Sequence, residues 1–203
     1  WDQHQRDLIG ETMYRFVFRS LYRLQAFNGD PHPGNYIFHG DGVITFLDFG
    51  LVRYFSDDEI AMFAGLVRAS AYDRDNVTLR RVVEDAGLLR RGADVTDEEV
   101  GRYFQFYAAP SFSERTTWTS SHASKVVRHL FDHNNRLAPY LTVPRPFVLI
   151  QRINLGLFAL LGELGASGPY LGIAKEMWPF TPDDPATPMG EREQAWLAGL
   201  PER

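Results

Sequence analysis

The sequence predicts a mainly helical α+β fold, a set of helices carrying one short β-hairpin. Three observations lead there. Ile9, Met13, Phe16, Ser20, Leu24 and Phe27 recur at three- and four-residue steps, the period of one helix face. Ser56 with Glu59, and Thr96 with Glu99, have capping-box spacing ahead of further helical stretches. The stretch Tyr36 to Phe46 instead reads as two short strands, because Asp41-Gly42 supplies the positive φ angles of a tight hairpin.

Taken in order, a first helix is expected from about Asp7 to Phe27, with Arg15, Arg19 and Arg23 on a second, solvated face. After the hairpin, a helix capped by Ser56 runs to about Tyr72, favoured at its start by Asp57 and Asp58. Asp73 to Asn76 breaks the chain, and a helix from Val77 to Ala86 ends at Gly87. The Thr96 cap opens a helix to Tyr107 whose aromatic residues, Tyr103, Phe104, Phe106 and Tyr107, are expected in the core. No basic residues interleave them as in a base-stacking platform. Pro110 to Ser121 reads as a mobile loop and His122 to Asn134 as a helix. The longest apolar helix is expected from Phe147 to Leu164, followed by a short one from Tyr170 to Trp178. Pro-rich, acidic residues then begin, with a weakly held helix expected from Glu191 to Leu200.

Composition narrows the function. The 203 residues suffice for one domain with a sizeable core, and 44% hydrophobic residues is ordinary for a globular chain. A net charge of −5 argues against a bulk nucleic-acid binder, which needs a basic face. The absence of cysteine rules out disulfides, a thiol nucleophile and a zinc–thiolate centre, and fits a reducing compartment. Phe147 to Ala166 is interrupted by Gln151, Arg152, Asn154 and Glu163, so it reads as a buried or amphipathic helix rather than a membrane span. His129 and His133 have the i,i+4 step of a zinc pair, but Leu130 stands where a metalloprotease helix has Glu. They and His122 are expected to be surface or capping residues.

The chemistry concentrates in Asn28 to Asn35 and Leu47 to Gly50. Asp30 and Asn35 are spaced as D-x-x-x-x-N, the hairpin follows, and Asp48-Phe49-Gly50 comes next, which is a phosphoryl-transfer layout. A nucleotide triphosphate is neutralised by Mg²⁺, a hard ion held by few protein oxygens. Asp48 offers a charged oxygen and Asn35 a neutral one; Asp30 can orient a hydroxyl or water and accept its proton. Pro31 and Pro33 stiffen the loop, and His32 is expected to hydrogen-bond the loop or Asp-Phe-Gly backbone.

Asp30-Pro31-His32-Pro33-Gly34-Asn35 followed by Leu47-Asp48-Phe49-Gly50 resembles the signature of the UbiB/AarF/ADCK family of atypical protein-kinase-like proteins. The resemblance continues more weakly through Val143 to Arg152 and reaches about Trp178. It implies the C-terminal lobe of a protein-kinase-like fold that binds ATP and Mg²⁺ and is linked to isoprenoid-quinone or lipid metabolism. Asp30 is then the catalytic-loop Asp. Asn35 and Asp48 are the metal ligands, and Phe49 and Gly50 lie at the nucleotide. Asn28 departs from the family, which often has His there.

The expected organisation is a kinase-like lobe over residues 1–178 and a linker or tail over 179–203. Within the lobe lie the catalytic loop (28–35), the hairpin (36–47), Asp-Phe-Gly (48–50) and the helical region (56–178). Only 29 residues precede Asp30, and they hold no Gly-rich loop or V-A-I-K-like strand. The family's Ala-rich loop and Lys-x-Gly-Gln extension are absent from the sequence too. The chain is therefore expected to partner its own N-terminal lobe in a longer protein, cytoplasmic with peripheral membrane association, and to be inactive alone. The acceptor is left open, as a lipid or quinone precursor or another group. Two rivals share the motif: an aminoglycoside- or choline-kinase-like phosphotransferase, and a nucleotide-binding pseudokinase scaffold.

Overall fold

The computed structural model describes residues 1–30, 32–108, 113–182 and 184–199. It is mainly helical, as predicted, with three two-stranded antiparallel sheets among the described residues.

Helix α1 runs Gln3–Leu24, earlier than expected because Asp2 caps it by accepting from the Gln5 amide. It stops at Gln25, which takes a left-handed conformation (φ 50°). The stop turns the chain into β1 (Ala26–Asn28), so Phe27 is buried from a strand while Leu24 is exposed. The hairpin is β2 (Tyr36–Phe38) and β3 (Ile44–Phe46), paired Tyr36 with Phe46 and Phe38 with Ile44. Asp41 and Gly42 both have positive φ at its turn, 57° and 76°. Strand β4 (Val52–Tyr54) returns to pair with β1, Asn28 opposite Val52.

Helix α2 (Asp57–Val67) has the predicted capping box, Ser56 and Glu59 each accepting from the other's backbone amide. The helix does not continue regularly to Tyr72: Arg68–Tyr72 widens into a π turn, closed by the Asp73 amide on the Arg68 carbonyl at 2.8 Å. Ser70 Oγ donates to the Leu66 carbonyl at 2.7 Å, a side-chain bond that competes with the helical ladder there. Helix α3 (Asn76–Asp85) begins at Asp75, and α4 (Asp97–Ala108) carries the second predicted capping box.

The reading of Pro110 to Ser121 as a mobile loop is corrected in part; Ala109 to Phe112 lie outside the described residues. Strand β5 (Thr116–Thr117) pairs with β6 (Ser167–Gly168). Trp118 beyond it is 1% exposed and stacks on Phe158, the centroids 4.8 Å apart. Helix α5 (Ser121–Leu130) packs on α6 (Arg145–Leu164), which Pro144 starts and Gly165 ends at φ 61°. By length and composition α6 could cross a membrane, with a mean hydropathy of 1.5 over its best window. In this fold Ile153, Leu157, Leu160 and Leu161 are core residues and Val148 is exposed, so α6 is the amphipathic core helix expected. Short α7 (Tyr170–Lys175) and α8 (Pro188–Ala198) complete the chain.

Two core clusters form. One joins Leu21 and Phe27 to α2, α3, α4 and the start of α6; the other joins Ile9 and Met13 to Trp118, the end of α6 and α7. Val17, Phe18 and Tyr22 touch both, so α1 is the common spine.

The expectation of a solvated arginine face is overturned for Arg15 and Arg19. Arg15 is 5% exposed and makes a two-pronged contact with Glu176 (2.7 and 2.9 Å) while bonding Glu11 at 2.8 Å. It also reaches Glu193 of α8 at 3.0 Å and the Thr187 hydroxyl, and Arg19 meets Glu193 through both Nε and Nη2 at 2.8 Å. A four-residue step places arginines on one face but says nothing of what covers it. Here the acidic stretch after Trp178 does, anchored by polar contacts.

Candidate functional site

Two ladders nest, and that arrangement assembles the site. In the outer ladder β1 meets β4, and the Gly29 amide adds one more rung by donating to the Leu51 carbonyl at 2.7 Å. In the inner ladder the hairpin also gains a rung, from the Leu47 amide to the Asn35 carbonyl at 2.9 Å. The motif residues are the two connections between ladders, 30–34 and 48–50. Two carboxylates 18 positions apart in sequence are thus brought to one end of a small β structure.

The side chains hold this together. Asn35 Nδ2 donates to Asp30 Oδ2 at 3.0 Å. A carboxylate can only accept when ionised, so the amide must turn its nitrogen to Asp30 and leave its oxygen, Oδ1, free. Asp48 Oδ1 accepts the Gly50 amide at 2.6 Å, and Oδ2 has no hydrogen bond among the described residues. Asn28, which departs from the family signature, donates Nδ2 to the Asp48 carbonyl at 2.7 Å and tethers the second motif to the first. His32 is where the sequence put it: Nδ1 accepts the Gly34 amide at 3.0 Å, a loop contact rather than a base poised on a substrate. A Cβ on Gly29 would sit 3.1 Å from Leu51 and from Leu149 of α6, so α6 backs the loop closely.

Sequence reasoning missed two neighbours. Arg152 lies 3.5 Å from Asp30 Oδ1. Both groups are substantially exposed, so the pair contributes little to stability, and its consequence is to place a cation beside the carboxylate. Tyr36 has its hydroxyl pushed up to about 12, by burial first and then by the Asp30 charge. Arg152 occurs in the family-like stretch, but only the packing of α6 under the loop brings it to Asp30. Tyr36 was legible as a hairpin residue adjoining Asn35, not as a neighbour of the carboxylate.

The other candidates fall away. His129 Nε2 is 3.0 Å from the Tyr103 carbonyl and its ring stacks on Phe106, while His122 Nδ1 accepts the Thr119 amide. Among the described residues no group of three or more His, Asp or Glu side chains could hold a metal by itself. A site built from one carboxylate and one amide oxygen is a different kind, in which phosphate and water complete the shell of a hard ion. The free Asn35 Oδ1 and Asp48 Oδ2 fit that donor set.

Ile37, Leu47, Phe49, Leu51 and Tyr54, on or beside the two ladders, are all exposed. Phe49 makes a T-shaped contact with Phe16 at 6.5 Å, and Phe16 in turn stacks on Phe46 at 3.8 Å.

Residues 2–83 match the ABC1 atypical kinase-like domain. The chain is 24% identical over 157 residues to an uncharacterised chloroplastic aarF domain-containing protein kinase of Arabidopsis thaliana, covering 76% of this chain and 22% of that protein. Among solved structures it is similar to Rv3197 of Mycobacterium tuberculosis, described in complex with erythromycin, at 29% identity and a TM-score of 0.66. That likeness covers 88% of this chain and 44% of Rv3197. Fold and motif geometry together define a kinase-like protein, with this chain folded as the C-terminal lobe. The match over residues 2–83 and the aarF-domain relative support the UbiB/AarF/ADCK family of atypical kinase-like proteins. It spans less than half the length of either relative.

Proposed function

We propose that the chain is the metal-binding and catalytic half of a Mg–ATP-dependent phosphotransferase or ATPase. The observation that carries this is the Asn35–Asp30 hydrogen bond at 3.0 Å, which fixes the amide so that its oxygen is available as a neutral metal ligand. Asn35 and Asp48 would hold Mg²⁺, which when bound neutralises phosphate charge. Asp30 would orient the attacking hydroxyl or water and take its proton, with Asn35 and Arg152 steadying the carboxylate. Phe49 and Gly50 would lie against the nucleotide.

The exposed apolar residues around the ladders support an N-terminal lobe as the partner that covers the nucleotide. The isolated chain is therefore expected to turn over little or no ATP. The resemblance to the family supports an acceptor or effector in isoprenoid-quinone or lipid metabolism, with peripheral membrane association of the whole protein.

The test uses the full-length protein: Mg-dependent ATP hydrolysis with and without lipid vesicles, in wild type and Asp48→Asn. Turnover that requires Asp48 supports the reading, and stimulation by vesicles supports the lipid link. Nucleotide binding without turnover in any condition would favour a binding-only role.

A further inference from the structure

Arg15, Arg53, Arg80 and Arg136 each meet a carboxylate within 3.0 Å. One group of basic side chains does not. Beside β5 and α5 lies an open pocket of about 340 Å³ that Arg115, His122 and Lys125 line together. Lys125 is exposed and has no ion pair among the described residues. Arg115 reaches Asp7 only at 3.7 Å. The Asp7 carboxylate is already occupied, because its Oδ1 accepts from the Ser167 amide and from Gln3, both at 2.7 Å.

The charge of this pocket has one sign. No Asp or Glu is among its described lining residues, although the chain as a whole carries a net charge of −5. Burial and the Lys125 charge hold the His122 imidazole below its ordinary value, so these two groups lie within electrostatic reach of each other. Gathering basic groups in this way opposes folding until something of opposite charge joins them. Part of the wall is fixed by the core. Trp118, 1% exposed, meets His122 edge to face at 5.4 Å, and the Thr119 amide donates to His122 Nδ1 at 3.0 Å. With Nδ1 accepting, the neutral ring carries its proton on Nε2 and acts there as a donor. Thr117 is pinned by the 3.0 Å contact of its hydroxyl with that of Ser167. Phe106 and the buried Val126 give the pocket an apolar side.

We propose that this pocket binds the phosphate of a phosphomonoester, with Arg115 and Lys125 as its counter-charges and the His122 Nε2–H as a neutral donor. A phosphomonoester carries about two negative charges at neutral pH and three acceptor oxygens, which matches two cations and further donors. A carboxylate brings half that charge. The volume leaves room beyond the phosphate for the organic part of the ester, against Phe106 and Val126. A soluble ester and a lipid headgroup share this chemistry. The pocket shares no residue with Asp30, Asn35 and Asp48, and its ligand is the same whether or not the protein transfers phosphate.

The experiment titrates the full-length protein, without Mg²⁺ and near neutral pH, with phenyl phosphate and with benzoate in a calorimeter. Phenyl phosphate is expected to bind saturably at one site, about tenfold more tightly than benzoate. Lys125→Gln and Arg115→Gln should each weaken it about tenfold, the factor one charge-assisted hydrogen bond supplies, and Lys125→Arg should restore it. Both side chains are exposed, so the variants should melt with the wild type, which separates a lost site from a lost fold. Sedimentation with phosphatidylcholine vesicles, with and without phosphatidic acid, distinguishes the two sources. Phenyl phosphate binding without vesicle binding assigns a soluble ester; binding to phosphatidic acid that falls in Lys125→Gln assigns a lipid headgroup. Failure of both, equal affinity for benzoate, or binding unchanged in both glutamine variants would each overturn the proposal.

Discussion

Asn35 donates through Nδ2 to Asp30 Oδ2 at 3.0 Å, so these two residues at the ends of the D-x-x-x-x-N stretch are one unit. The bond aligns a carboxylate and aims an amide oxygen in the same stroke. Replacing either residue therefore disturbs both.

Asp30→Asn and Asp48→Asn should separate two roles in the full-length protein. Asp48→Asn removes the charge of the proposed metal ligand and should weaken Mg-dependent nucleotide binding about tenfold or more, read by titration calorimetry. Asp30→Asn should leave that binding intact and lower turnover roughly a hundredfold to ten-thousandfold, the range for losing a general base. Equal loss of binding in both variants would contradict the division.

Asn28→Ala should act on the same site from one step behind. It deletes the 2.7 Å bond to the Asp48 carbonyl and the 3.3 Å bond that Asn28 Oδ1 accepts from the Asp30 amide. A loss of about 1 kcal/mol is expected by chemical denaturation. Mg-dependent nucleotide binding should weaken with it, because Asp48 is no longer tethered to the loop. Unchanged binding would make the tether purely structural.

Alkaline titration tests the proximity of Tyr36 and Asp30. Burial and the Asp30 charge raise the Tyr36 hydroxyl to about 12 from a usual value near 10. The folded state thus keeps this proton where the unfolded chain releases it. Its stabilising contribution is full below about pH 10 and declines as pH rises towards 12. Tyr36→Phe should remove that part of the alkaline stability loss. Asp30→Asn should move the Tyr36 step to lower pH in an ultraviolet tyrosinate titration. An unmoved step would place the two groups further apart than the structure does.

The buried arginine makes a sharper stability prediction. Arg15→Ala leaves Glu176 and Glu11 without their cation, and breaking a buried pair in this way costs about 3–5 kcal/mol. A melting temperature lower by roughly 10 °C follows for a domain of this size. Truncation after Trp178 removes Glu193 and Thr187 but keeps the Arg15–Glu176 pair. The truncated chain should stay folded and melt only a few degrees lower. Equal losses in the two variants would mean that the contact with α8, not the buried pair, dominates.

The local chemistry of this protein was readable in one dimension. Capping at Ser56 and Thr96 depends on side chains three residues apart, the Asp41-Gly42 turn on two adjacent backbones, and the end of α6 on Gly165. The candidate site residues could be picked out for the same reason, since Asp30, Asn35 and Asp48 lie within one compact motif. Helix periodicity found α1, yet it missed the stop at Gln25, where a left-handed residue converts Phe27 from helix to strand.

What the sequence by itself determined was the set of helices and turns, the hairpin, and the residue types brought to the candidate site. What only the tertiary structure decided was which surfaces meet. Arg15 became buried because Glu176, some 160 positions away, closes over it. Arg152 reached Asp30 because α6 packs beneath Gly29. Periodicity and capping are short-range effects written into neighbouring residues. Burial, ion pairing and cavity shape depend on contacts between distant segments, and no local pattern encodes which partner arrives.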